Sequence, residues 1–220
     1  FLHDWPGALE DFDEAIRHDP RYAMARVWRG FWLVFVGRTE EGLAELATAV
    51  ELEPSSMPQV VTYARGLYSA RRHGEAAAAL ERVVEVEPQN MLARALLASV
   101  YIELGRFDDA LVLASDVAGK SPSGFSVAAV ALARAGRTDE ARAALNRLVE
   151  LAQHRYVPAY DIASVHAALG DADQAFQWLD RAFAEPSALL GNLRADPVMD
   201  PLRSDPRYRE VERRLRLPEP

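Results

Sequence analysis

The sequence predicts an all-α fold, a solenoid of antiparallel helix pairs closed by a C-terminal helical cap. Three observations predict it. Proline recurs at Pro20, Pro54, Pro88 and Pro122, each step being 34 residues. Small residues keep the same step at Ala8, Gly42, Ala76 and Ala110, then continue to Ala141 and Ala175 after one step of 31. A second small series runs Gly30, Ala64, Ala98, Ala129 and Ala163, with the same short step. A fixed period of this size is the signature of stacked supersecondary units, each unable to bury its apolar face alone.

Within each period, apolar residues fall three and four apart, as in Leu43, Leu46, Val50 and Leu80, Val83, Val84. That spacing describes amphipathic helices of about 12–15 residues, two to a repeat. Gly37, Gly105, Gly136 and Gly170 follow the first helices, with Arg71 in the remaining slot. A left-handed residue commonly ends a helix there. The prolines follow the second helices and stop them. No alternating β pattern occurs.

In chain order, residues 1–20 hold half a repeat, with only its second helix. Pairs follow at 21–54, 55–88, 89–122, 123–154 and 155–186, and the cap occupies 187–220. The half repeat leads to the expectation that the chain begins inside a longer array. In the cap, Asp196-Pro197, Asp200-Pro201 and Asp205-Pro206 each put a capping carboxylate before a proline, a helix-start signal. Asparagine in place of any of the three is therefore expected to cost little. Leu189, Leu190, Leu193, Val198, Met199, Leu202, Tyr208, Val211 and Leu215 fit the inner surface of such a cap. A metal site in this run is disfavoured because N-capping carboxylates point at backbone amides and no histidine lies nearby. The arginines of the last helix leave a basic contact patch as the lesser reading.

Composition narrows function. The chain has 220 residues, 50% of them hydrophobic, a net charge of −8 with the two signs interspersed, and no cysteine. Nucleic-acid binding needs a basic surface, so it is not expected. Disulfides and thiolate zinc sites are excluded. No apolar run approaches the roughly 20 residues that a membrane span requires. The five histidines form no H-x-x-x-H pair, and no phosphate loop, dinucleotide fingerprint or nucleophile motif is present. His166 reads as a packing residue, and Asp171 and Asp173 read as caps after the Gly170 turn. No enzyme activity, cofactor or metal is expected.

The second-helix triples Ala8/Phe12/Ala15, Gly42/Leu46/Ala49, Ala76/Leu80/Val83, Ala110/Ala114/Val117, Ala141/Leu145/Leu148 and Ala175/Leu179/Ala182, with the glycine turns and closing prolines, resemble tetratricopeptide repeats over roughly residues 1–185. The resemblance implies a right-handed solenoid whose first helices line a concave groove. Groove-facing positions are then Met24, Val27, Trp28, Phe31, Val34 and Phe35. The next helices add Val61, Arg65, Tyr68, Ser99, Ile102, Glu103, Val130, Arg134, Tyr160, Asp161 and Ser164. The carboxylate clamp of Lys, Asn and Arg used by some family members is not expected, since only Arg65 and Arg134 resemble it. The partner-binding set is Val27, Trp28, Phe31, Phe35, Arg65, Tyr68, Arg134 and Tyr160. For the aromatic run "VWRGFWLVF" two readings stay open, a binding anchor or a core face left uncovered by the half repeat.

The tail residues Asp200, Pro201, Leu202, Arg203, Ser204, Asp205, Pro206, Arg207 and Tyr208 resemble a segment that closes repeat arrays in bacterial multidomain regulators. There the partner domain is a winged-helix, cyclase or kinase domain. The implied function is a protein–protein interaction scaffold, the C-terminal regulatory or sensory part of a larger signalling or transcription regulator in the cytoplasm. Its partner is a protein or peptide, an N-terminal domain of the same polypeptide being one option. The alternative is a cell-envelope assembly factor that binds a peptide in the groove.

Overall fold

The structure, a computed structural model, describes residues 5–118, 121–185 and 188–215. Those residues are all-helical, without a strand. The helix α1 (Trp5–His18) stands alone. Five pairs follow: α2 (Ala23–Val36) with α3 (Thr39–Leu52), α4 (Met57–Ser69) with α5 (His73–Val86), α6 (Met91–Glu103) with α7 (Phe107–Ala118), α8 (Pro122–Arg134) with α9 (Thr138–Ala152), and α10 (Ala159–Ala168) with α11 (Ala172–Ala182). Two 3-10 segments, η1 (Ala188–Arg194) and η2 (Pro197–Leu202), precede α12 (Pro206–Leu215).

The turn series is a series of left-handed residues. Gly37, Gly105, Gly136 and Gly170 have φ of 98°, 74°, 76° and 77°, and Arg71 fills its slot at φ 63°. The small series are the contact points between helices: Ala64, Ala76, Ala98, Ala110, Ala129, Ala141, Ala163 and Ala175 are all fully buried. In the α2/α3 pair both members are glycine. A Cβ at Gly30 would lie 2.7 Å from the Gly42 carbonyl oxygen, and one at Gly42 would lie 2.6 Å from that of Gly30. No side chain fits there.

The short step has a local cause. Pro20, Pro54 and Pro88 lie in turns three residues ahead of α2, α4 and α6, whereas Pro122 is itself the first residue of α8. The three missing residues fall between the starts of α7 and α8, which are 15 residues apart (107 to 122) where α3 and α4 (39 to 57) and α5 and α6 (73 to 91) are 18 apart. Pro122 therefore opens a helix rather than closing one, which proline does readily at the first helical position.

The cap shares one apolar core with α10 and α11. Leu190, Leu193, Met199, Leu202, Tyr208 and Val211 are buried in it, with Val198 and Leu215 partly so. The side chain of Leu189 lies outside the described residues. The Tyr208 hydroxyl donates to the Leu193 carbonyl at 2.8 Å. The arginines of α12 knit it to α11: Arg207 pairs with Asp173 and lies over Phe176, and Arg214 pairs with Asp180 and lies over Phe183. Heptad spacing of these groups on both helices puts them on facing stripes. Arg207 and Arg214 of the basic run are engaged within the molecule, Arg216 lies outside the described residues, and Asp173 is an ion-pair partner rather than a cap. Asp171 likewise makes no capping bond and receives Arg142 at 3.1 Å.

Candidate functional site

The first helices α2, α4, α6, α8 and α10 stack side by side and form the concave face. The segment from η1 to η2 lies across this face instead of stopping at the last pair. Its anchors are polar and come from far along the chain. Arg194 donates to the Val36 carbonyl at the end of α2 at 3.1 Å. Arg71, after α4, donates to the Ala195 carbonyl at 2.8 Å and to Asp200 at 2.7 Å. Asp196 accepts the hydroxyls of Tyr68 from α4 at 3.3 Å and Tyr160 from α10 at 3.0 Å, and also the Val198 amide at 3.1 Å.

Two of the three Asp-Pro carboxylates are helix caps. Asp196 caps η2 and Asp205 accepts the Arg207 amide at the start of α12. Asp200 is not a cap: Pro201 lies inside η2, and the carboxylate takes Arg203 and Arg71 instead. Burial raises the Asp196 carboxyl above its ordinary range, against the hydrogen bonds from Val198, Tyr160 and Tyr68 and the nearby charge of Arg65. Burial also pushes both tyrosines well above theirs.

The eight expected groove residues separate into four groups, Arg65 forming the last. Val27 is 7% exposed and packs with Leu46 and Ala49 of α3, as does Val34. Val27 belongs to the core, because at one residue before Trp28 it lies on the helix flank that meets α3. Tyr68, Tyr160 and Arg134 face the groove but are already engaged, the first two by Asp196 and Arg134 by Glu103 at 2.9 Å. Trp28, Phe31 and Phe35 form a stripe, with ring centroids 6.3 Å and 4.3 Å apart in edge-on contact. Trp28 is 49% exposed, and Met24 beside it 43%. Phe35, at the other end, lies beside Gly191 of η1. Trp32, absent from the expected set, joins the stripe through Phe35 at 6.1 Å.

Arg65 is partly buried and, among the described residues, makes neither a hydrogen bond nor an ion pair. Burial lowers its pKa, with Asp196 acting the other way.

A cavity of about 110 Å³ remains between α6, α8, α10 and the crossing segment, with Asp161, Asp196, Glu103 and three serines in its wall. It adjoins a wider recess of about 450 Å³ that reaches Arg65, Leu92 and Tyr156. Burial, then repulsion from Asp196 and Glu185, raises the Asp161 carboxyl to about 7. Among the described residues, no group of three or more His, Asp or Glu is disposed to hold a metal ion. No helix there is long and apolar enough to cross a membrane.

A right-handed stack of helix pairs with small residues at each crossing is the architecture of a repeat scaffold. Two family models described as tetratricopeptide repeat match the chain, one over residues 67–131 and one over 122–147 and 159–181. The chain carries tetratricopeptide repeats over these residues. A tetratricopeptide repeat protein from Parabacteroides merdae is similar over 96% of this chain and 78% of its own, at 12% identity and a TM-score of 0.71. PilW, a type IV pilus biogenesis factor, is similar over 89% of each chain at 18% identity and 0.65. YrrB, a TPR protein with an unusual peptide-binding site, is similar over 83% of this chain and 96% of its own, at 20% identity and 0.53. At these identities the likeness is one of fold. No curated protein sequence matches.

Proposed function

We infer that the chain is a protein–protein interaction scaffold that takes a peptide or helix on its concave face. One observation carries this. Trp28 presents half its surface to solvent at the head of an aromatic stripe, while the crossing segment already covers the Phe35 end of that stripe and engages Tyr68 and Tyr160. Each large aromatic side chain can bury 150–250 Å², and a half-exposed tryptophan beside other aromatics is the usual composition of an interaction hot spot. The match of residues 200–208 to the closing segment of bacterial regulators supports a setting within a larger cytoplasmic signalling or transcription regulator.

The test is Trp28→Ala combined with Phe31→Ala, compared with Leu80→Ala in the fully buried core. The exposed pair is expected to lose partner capture, read by crosslinking and mass spectrometry in the native host, with less loss of thermal stability than Leu80→Ala. Unfolding as severe as that of Leu80→Ala makes the stripe core and removes the proposal.

A further inference from the structure

The cavity beside the crossing segment has a charge balance that its own walls do not close. Three carboxylates face it: Glu103, Asp161 and Asp196. Glu103 is paired with Arg134 at 2.9 Å. Asp196 has two tyrosine hydroxyls, a backbone amide and the nearby charge of Arg65. Asp161 has nothing: among the described residues its carboxylate makes no hydrogen bond and no ion pair. Asp161 is partly exposed at the cavity wall, and burial, then repulsion from Asp196 and Glu185, raises its carboxyl to about 7.

The neighbouring hydroxyls do not relieve it. Ser126 and Ser164 are both buried and donate to the Ser123 and Asp161 carbonyls at 2.9 Å and 2.7 Å, and Ser99 donates to Ala95 at 3.2 Å. With its protons so directed, each hydroxyl offers the cavity only lone pairs. The wall of the smaller cavity beside Asp161 therefore offers acceptors, and the unpaired donor closest in the fold, Arg65, lines the adjoining recess instead.

We propose that this cavity receives one ammonium or guanidinium group, the side chain of a lysine or arginine on the partner peptide. The proposal rests on the peptide-scaffold reading and gives that peptide a chemistry. A lysine or arginine head supplies what is missing, several donors and one positive charge. Its aliphatic stem fits the apolar part of the wall formed by Ile102, Val127 and Val130. The overall charge of −8 favours a basic ligand in the same sense.

The experiment uses N-acetyl-lysine methylamide and N-acetyl-arginine methylamide as probes, with the norleucine amide as the uncharged control. Carboxyl and amide NMR of the whole chain follows Asp161 and Ser164. Saturable shifts are expected with the two cations and not with norleucine, and Asp161→Asn is expected to weaken binding by about tenfold or more. The cation binds the ionised carboxylate, so apparent affinity rises with pH by roughly tenfold per unit below 7 and levels above it. Bound probe in turn lowers the Asp161 pKa. The groups facing Asp161 that could blur this profile are Asp196 and Glu185, with Glu103, Arg134 and Arg65 beyond. Glu103→Gln is expected to leave the midpoint near 7. If Asp161→Asn does not fold, the pH profile of the native chain decides alone. Equal binding of norleucine, a flat pH profile or unchanged affinity in Asp161→Asn overturns the proposal. Partner capture that depends on Trp28 but not on Asp161 overturns it while leaving the scaffold intact.

Discussion

Asp196 is the residue whose role differs most from its sequence signal. Asp before Pro predicts an N-cap, and Asp196 is one, but its two oxygens also hold Tyr68 and Tyr160 from helices distant in sequence. Nothing in a dipeptide shows which side chains the folded chain will bring to it. Arg71 was more visible, as the non-glycine in a glycine series. A left-handed non-glycine residue costs about 1–2 kcal/mol, and the side chain that tolerates this is the one that ties Ala195 and Asp200 to the repeats. The expectation that all three aspartates tolerate Asn is accordingly revised. An amide replaces one acceptor oxygen by a donor, facing hydroxyls that now donate to it. Asp196→Asn is expected to lose about 1–3 kcal/mol, the range for disturbing buried hydrogen bonds to a charged group. Asp205→Asn keeps its capping oxygen and gives up only a partly exposed pair, so it is expected to lose less than Asp196→Asn. Urea denaturation of the two variants at pH 7 separates them, and equal losses return Asp196 to the status of a simple cap.

The helices themselves were legible, because a helix pair repeated at fixed phase writes its core, turns and contact points into the sequence many times over. The 31-residue step was visible too, although only the fold shows that it falls between the starts of α7 and α8. Less visible was the distinction within the small series. Ala serves at most crossings, while Gly30 and Gly42 meet backbone to backbone with no room for a methyl group. Gly30→Ala would push a Cβ against a carbonyl oxygen and Leu46, neither of which can move without separating α2 from α3. Overpacking of this kind costs about 1–3 kcal/mol, or roughly 2–12 °C in Tm for a chain of this size. Gly74, in the first turn of α5, has open space around its Cβ position. Gly74→Ala gains helix propensity and is expected to raise Tm slightly. Calorimetry of the two variants should move in opposite directions; a drop for both would mean that glycine content, not the close crossing, governs this part of the array.

Across the whole molecule, the crossing segment changes what kind of object the solenoid is. A stack of repeats touches only neighbours, so its stability is nearly a sum of local terms and its unfolding can proceed from either end. Here Arg194 reaches Val36 across 158 positions, and Tyr68 reaches Asp196 across 128. The cap thus binds the first complete pair, the middle and the last pair at once, a path that no periodicity records because it occurs only once. Leu193, Met199, Leu202 and Tyr208 are almost wholly buried in this role. At about 1.5–3 kcal/mol each, their contribution is comparable to the 5–15 kcal/mol by which a domain is ordinarily stable. Deletion of residues 187–220 is therefore expected to uncover both the α10/α11 face and the Phe35 end of the aromatic stripe, and to promote association. The sharper expectation concerns cooperativity. The complete chain should unfold in one transition, with tryptophan fluorescence from α2 and α11 reporting the same midpoint. Without the cross-link, the N-terminal and C-terminal pairs should unfold at different denaturant concentrations, with a broader curve by circular dichroism. If the truncated chain keeps a single sharp transition and stays monomeric, the crossing segment is only a lid on the last pair, and cooperativity resides in the repeats themselves.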